Sequence, residues 1–120
     1  MRIRLLATFF ILLSALLGLN NPAFAADAPP AILIIHNGQF EPEKLILPSR
    51  VKMKLTIRNQ DAIPLEFESY DLSREVVIPA HNEVSIYIGP LDPGIYKYFN
   101  DLNHAMTGSI EVREAAAKGN

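Results

Sequence analysis

The segment from Val51 to Arg58 alternates strictly between apolar and polar side chains, and this alternation constrains the fold more than any other feature. Apolar residues occupy the odd positions, and Lys52, Lys54, Thr56 and Arg58 occupy the even positions. Successive side chains of a β-strand point to opposite faces of the sheet, whereas a helix repeats about every 3.6 residues. The segment is therefore predicted to be a strand with one buried and one solvent-exposed face.

Shorter segments of the same character recur along the rest of the chain, with turn signals between them. They are rich in β-branched and aromatic residues and lie near positions 31–36, 40–47, 64–69, 75–79, 83–88, 95–99 and 109–112. No segment after residue 26 has a helical period. Short strands separated by turns about every 8–12 residues are typical of a β-sandwich. We therefore predict an all-β domain over residues 31–113, with seven or eight strands.

The N-terminal residues have the pattern of an export signal. Arg2 and Arg4 precede an apolar stretch over residues 5–19, and the sequence Ala23-Phe24-Ala25 fits a small-x-small cleavage site. Residues 1–25 are predicted to be a cleaved signal peptide, and an uncleaved membrane anchor is the alternative. Residues 26–30 are predicted to form a linker, and residues 114–120 a flexible tail. We expect the mature protein to be periplasmic.

Charge and cysteine content exclude several classes of function. Without Arg2 and Arg4 the chain has nine basic and 13 acidic residues, which gives a net charge of about −4 with neutral histidines. An acidic domain is a poor match for nucleic acid or an anionic membrane. The chain has no cysteine, so a thiolate nucleophile, a zinc thiolate site and an iron–sulfur cluster are excluded.

The segment from Gly94 to Gly108 contains the greatest density of potential ligands. An aromatic strand carries Tyr96 and Tyr98 on one face. A polar loop is predicted to follow it, holding Asn100, Asp101, Asn103, His104 and Met106. A rigid sandwich can fix such side chains in space. A functional site is therefore expected at this loop.

Several motifs resemble those of the cupredoxin-like family. They are Phe40-x-Pro42, the strand that ends at Asn59, the segment Glu66-Phe67-Glu68-Ser69, Pro93-Gly94-x-Tyr96 and Met106-x-Gly108. The resemblance covers about residues 31–113 and implies a Greek-key β-sandwich with a metal site at one end.

The same resemblance implies that the blue-copper centre has been lost. That centre needs two histidines and a cysteine, often with a methionine. The family pattern places the histidines at Leu65 and Asn103 and the cysteine at Asn100, and only Met106 matches. We therefore expect no electron transfer through such a centre.

A narrower resemblance is to the periplasmic cupredoxin-like subunits of bacterial ferrous-iron uptake systems (Efe/Ftr type). It rests on Glu66-Phe67-Glu68-Ser69 followed by Tyr98-Phe99-Asn100-Asp101. It implies binding of an iron or copper ion beside a membrane iron permease, with assistance to Fe(II) oxidation. That family carries a histidine near position 103, whereas this chain has His104.

The candidate metal ligands are Glu66, Glu68, Asp101, His104 and Met106. Asp101 and His104 are three positions apart and can reach one ion; a solvated Asx turn is the alternative. With Phe67 facing inward, both glutamates lie on the opposite face, where a solvated face is the alternative. Met106 suits Cu(I) but equally fills a core.

Three functional hypotheses follow from these residues. The first is an accessory protein of iron uptake without catalytic residues of its own. The second is a metal-free interaction module whose contact residues are Phe99, Leu102 and Met106. The third is a copper carrier in which Met53 assists Met106 and His104. His36 and His81 are expected to be structural or solvated.

Overall fold

Nine β-strands make up the computed structural model, which describes residues 30–114. They are β1 (Ala31–His36), β2 (Gln39–Glu41), β3 (Lys44–Pro48), β4 (Met53–Asn59), β5 (Leu65–Ser69), β6 (Arg74–Ile78), β7 (Glu83–Ile88), β8 (Gly94–Asn100) and β9 (Asn103–Arg113). The predicted signal peptide, nearly all of the predicted linker and the tail beyond Glu114 lie outside the described residues. Within residues 30–114 no helix is long and apolar enough to span a membrane.

The strands form two sheets that pack as a sandwich. One sheet has the order β2-β1-β4-β7, and the other has the order β3-β9-β8-β5-β6. Two neighbouring pairs are parallel, β1 with β4 and β3 with β9, and the remaining pairs are antiparallel. The prediction of an all-β sandwich is confirmed. The segment predicted near residues 40–47 is divided into β2 and β3, which raises the number of strands to nine.

The alternating patterns produce the core. In β4 the side chains of Met53, Leu55 and Ile57 are buried, and Lys54 and Arg58 are exposed. Burying these apolar side chains against the facing sheet stabilises the sandwich by about 1.5–3 kcal/mol for each large side chain.

An aromatic cluster fills the centre of the core. Tyr98 packs edge-to-face on Phe40 with ring centroids 4.9 Å apart, and it lies 5.0 Å from the ring of Phe67. Both distances lie in the range that favours aromatic pairs. This packing places the ring of Tyr98 in the core between the two sheets.

The polar loop predicted after residue 99 is much shorter in the structure, so its predicted extent is wrong. β8 continues to Asn100, only Asp101 and Leu102 form the turn, and β9 begins at Asn103. The side-chain oxygen of Asn100 accepts the backbone N–H of Leu102 at 3.1 Å, which closes a tight Asx turn. Most of the expected loop is therefore strand.

Arg74 connects an edge strand of one sheet to an edge strand of the other. Its Nε and Nη2 atoms donate hydrogen bonds to the backbone carbonyl of Tyr87 at 3.3 and 3.1 Å. Arg74 belongs to the edge strand β6 and Tyr87 to the edge strand β7. The guanidinium therefore fixes one edge of each sheet relative to the other.

Candidate metal site

Hairpin β5–β6 places three glutamates on the outer face of the five-stranded sheet. Phe67 is fully buried between Glu66 and Glu68, which are half-buried on the opposite face, as the sequence predicts. The register pairs Glu68 directly with Glu75 of β6. Like charges directly opposite one another destabilise a sheet, so a proton or cation bound beside them would stabilise this arrangement.

Two hydrogen bonds hold the β8–β9 turn against β5. The backbone N–H of Asp101 donates to the carbonyl of Glu66 at 2.9 Å. The side-chain oxygen of Asn100 accepts the N–H of Glu66 at 3.1 Å. Glu66 is thus bonded to the turn through both of its backbone polar groups, and this fixes Asp101 above the outer face of β5.

The result is a group of three carboxylates that come from three strands or turns. Glu66, Glu75 and Asp101 each offer an oxygen within 4.8 Å of the other two. Glu66 is half-buried, whereas Glu75 and Asp101 are exposed. We call this group the carboxylate cluster.

The negative charges raise the proton affinity of the glutamates. A hydrogen bond that protonated Glu66 donates to Glu75, followed by partial burial and the charges of Glu75, Asp101 and Glu68, raises the pKa of Glu66 to about 7. Partial burial and the charges of Asp101 and Glu75 also raise the pKa of Glu68. Two carboxylates that share one proton at neutral pH can exchange that proton for a metal ion.

His104 lies beside the carboxylate cluster. Its Nε2 atom is 2.9 Å from the Oδ1 atom of Asp101, and its ring packs edge-to-face on Phe99 at 5.1 Å. The structure therefore brings Asp101 and His104 together as predicted. The imidazole can orient Asp101, in the way that second-shell groups orient ligating carboxylates.

Met106 lies on the other side of the sheet. Its side chain is buried in the core, and the side-chain amide of Asn100 donates to its Sδ atom at 3.8 Å. The core position separates the thioether from the carboxylates on the outer face. His36 and His81 are exposed and belong to no described group of three potential ligands.

Glu75 is the ligand candidate that the sequence analysis missed. The missing signal was the hairpin register, which pairs Leu65 with Ile78 and consequently Glu68 with Glu75. Aligning the inward residues Leu65 and Ile78 would have placed Glu75 on the glutamate face, because side chains alternate along both strands.

The geometry can be compared with known proteins. A family model described as a cupredoxin-like domain matches residues 9–112. The chain belongs to this family. The cupredoxin-like sandwich predicted from the sequence motifs is thereby confirmed at the level of the family.

Solved cupredoxins share this fold. An oxidised mutant of amicyanin is 15% identical with a TM-score of 0.58, and the match covers 69% of this chain and 81% of amicyanin. A purple cupredoxin from Nitrosopumilus maritimus is 18% identical with a TM-score of 0.53, covering 69% of this chain and 99% of that protein. At these identities the likeness shows the fold alone.

A bacterial relative is more similar in sequence. The uncharacterized protein RP394 of Rickettsia prowazekii (strain Madrid E) is 37% identical over 71 residues, which is 59% of this chain. The chain spans 57% of the length of that relative.

The residues at the copper end of this cupredoxin-like domain do not fit a blue-copper ion. Leu65 is buried and apolar, and Asn100 uses its side chain in hydrogen bonds to Glu66, Leu102 and Met106. Neither a thiolate nor an imidazole stands at the family positions 65, 100 and 103. The carboxylate cluster offers only hard oxygen ligands, which suit iron, manganese or other hard cations better than Cu(I).

Proposed function

We propose that this cupredoxin-like protein binds an iron ion through Glu66, Glu75 and Asp101 and serves as a periplasmic accessory protein of iron uptake. The carboxylate cluster carries the proposal, because three side chains from separate elements offer oxygens within 4.8 Å of one another. Glu68 and His104 lie around this group and contribute charge and orientation. The resemblance to iron-uptake subunits supports iron as the cargo and a membrane iron permease as the partner.

The three carboxylate ligands would favour oxidation of a bound Fe(II) ion over reduction of Fe(III). Carboxylates stabilise Fe(III) more than Fe(II), because the harder and more highly charged ion gains more from oxygen ligands. A bound Fe(II) would therefore lose its electron more readily to an external acceptor such as O₂. Copper carriage through Met106 is disfavoured, because the buried thioether faces away from the cluster.

A calorimetric titration of the full chain tests the proposed metal site. Fe(II) and Cu(I) are added anaerobically, and Mn(II), Zn(II) and Cu(II) are added in separate runs. We expect one saturable site for iron, with an affinity that falls about tenfold or more in Glu75→Gln, since each ligand contributes strongly to a small site.

Glu83→Gln is the matched control for this experiment. Glu83 is an exposed glutamate on the other sheet, where it pairs with Arg58 at 2.9 Å. Equal effects of Glu75→Gln and Glu83→Gln would mean that iron responds only to net charge. Absence of saturable binding for every ion would reject the metal site.

A second candidate function is the metal-free interaction module. The end of the sandwich has a groove of about 630 Å³, beside which Ile63 and Leu102 are 73% and 61% exposed. Leu65 and Met106 also line this groove. Exposed apolar side chains around a groove are typical of protein-binding surfaces.

Ile63→Asp combined with Leu102→Asp separates the two functions. The interaction module predicts that a permease subunit co-purifies with the wild-type chain equally with and without chelator, and is lost with this double variant. Loss of the subunit on chelation alone would instead connect docking to the metal.

A further inference from the structure

A second groove lies on the outer face of the five-stranded sheet, beside the carboxylate cluster. It has a volume of about 640 Å³, and Tyr70, Phe99 and His104 form an aromatic wall along it. The ring centroids of Tyr70 and Phe99 are 5.5 Å apart, and those of Phe99 and His104 are 5.1 Å apart. Tyr70 is 75% exposed, so an aromatic face remains open to a partner.

Tyr98 and Gly108 lie at the floor of this groove. Tyr98 is 1% exposed. Among the buried side-chain nitrogen and oxygen atoms of residues 30–114, its hydroxyl oxygen has no hydrogen-bond partner. A Cβ atom built on Gly108, which also lines the groove, would stand 2.7 Å from this hydroxyl oxygen. Because the Tyr98 ring packs on Phe40 and Phe67 in the core, its hydroxyl lies on the inner side of the sheet, and the backbone at Gly108 closes the groove on that side.

The charges around the groove favour a cation. Glu68 pairs directly with Phe99 on the neighbouring strand. Within the described residues, Glu66, Glu68 and Glu75 make no ion pair with any lysine or arginine, and Asp101 is paired with His104. Glu43 and Lys97 line the groove and carry opposite charges. The face is thus strongly acidic beside an aromatic wall.

We propose that this groove docks a segment of a partner protein that carries arginine or lysine side chains. A guanidinium or ammonium group gains from the faces of Tyr70 and Phe99 by cation–π attraction. The same group gains charge-assisted hydrogen bonds from Glu68 and the neighbouring carboxylates. The proposal extends beyond metal binding, although the segment and a metal ion compete for the charge of the same cluster.

Fluorescence anisotropy on the full chain in chelator tests the docking. The probe is a labelled peptide of alternating arginine and glycine, and a glutamate–glycine peptide of equal length is the negative probe. We expect the arginine peptide alone to bind, and Tyr70→Ala to weaken its binding about tenfold through loss of the cation–π contact.

Two matched variants control for exposure and for net charge. Tyr87→Ala removes a tyrosine that is 56% exposed on the other sheet, and Glu83→Gln removes a charge from that sheet. We expect both to leave peptide affinity within about twofold of wild type, whereas Glu68→Gln lowers it several-fold. Comparable losses for Tyr70→Ala and Tyr87→Ala would overturn the proposal, as would failure of the peptide to bind.

The same variants distinguish this proposal from the metal site. Tyr70 offers no carboxylate, so Tyr70→Ala is expected to leave iron affinity unchanged while it weakens peptide binding. Iron added before the peptide is expected to lower peptide affinity. If the chain binds no metal, peptide binding that still requires Tyr70 and Glu68 supports the docking proposal by itself.

Discussion

The side-chain oxygen of Asn100 accepts the backbone N–H of Glu66 at 3.1 Å. The same oxygen accepts the N–H of Leu102 at 3.1 Å, so one amide joins the end of β8, the following turn and the start of β5. The motif resemblance places the copper-binding cysteine of the cupredoxin pattern at this position. In this chain the Asn100 side chain is a hydrogen-bonded structural junction.

Replacing Asn100 should therefore destabilise the fold. Asn100→Leu leaves the N–H groups of Glu66 and Leu102 without their acceptor, which should cost about 2–3 kcal/mol of unfolding free energy. Urea unfolding followed by circular dichroism measures this change. Asn103→Ala is the control, because its exposed side chain makes one 3.3 Å bond, and it should change stability by about 0.5 kcal/mol or less. Equal losses would contradict the junction.

We expect Glu66 to make the unfolding free energy decrease as the pH rises toward 7. Its pKa is raised from 4.5 to about 7 by the hydrogen bond to Glu75, partial burial and nearby acids. Between these two values the folded chain binds more protons than the unfolded chain, so unfolding free energy decreases as pH rises. Thermal midpoints measured from pH 4.5 to 7.5 should decline, and Glu66→Gln should flatten the decline. Retention of the full slope in Glu66→Gln would refute this assignment, with Glu83→Gln as the unaffected control.

We expect Glu111 to dominate the change in unfolding free energy at acidic pH. Hydrogen bonds from Arg113 and Lys44 lower its pKa from 4.5 to about 2, against the opposing effect of burial. The unfolded chain then binds more protons between these values, so stability is lost as pH falls from about 4.5 toward 2. Glu111→Gln should reduce this loss and leave the slope near neutral pH intact. Acid titrations of Glu111→Gln and Glu66→Gln that flatten the same limb would contradict both assignments.

Gly108 is required by the ring of Tyr98. A Cβ at position 108 would approach the Cε2 atom of Tyr98 to 2.5 Å, which forces the ring or the strand to move. Gly108→Ala should therefore lower the unfolding free energy by about 1–3 kcal/mol. Gly94→Ala is the matched control, because its Cβ would lie 3.8 Å from Tyr96, an ordinary contact. Chemical denaturation that ranks Gly94→Ala as the more harmful change would disprove the requirement.

Much of the fold was accessible from local patterns, whereas the site depended on pairing between distant segments. The alternation at residues 51–58 predicts β4, since one-sided burial needs a period of two. The outward orientation of Glu66 and Glu68 follows from Phe67 for the same reason. Glu75 required the register of β5 with β6, and the sequence analysis placed these strands without pairing them.

The loop after β8 was predicted incorrectly because its composition is that of a turn. Asn100, Asp101 and Asn103 are all residues that favour turns, yet two of them lie at the ends of paired strands. Cross-strand bonds between β8 and β9 outweigh the local preference, as tertiary context commonly does. The candidate ligands Asp101, His104 and Met106 were therefore placed on one loop, whereas the structure puts Asp101 and His104 at the outer face and Met106 in the core.

The order of strands makes the domain depend on its C-terminal strand. β1, which opens the domain, lies inside its sheet between β2 and β4, and β9, which closes it, lies between β3 and β8. A chain that ends at residue 100 contains every strand except the one that joins β3 to the rest of its sheet. Deleting β9 would therefore remove a central strand of the sheet and not an edge strand. The last strand to be made is the one that completes the domain.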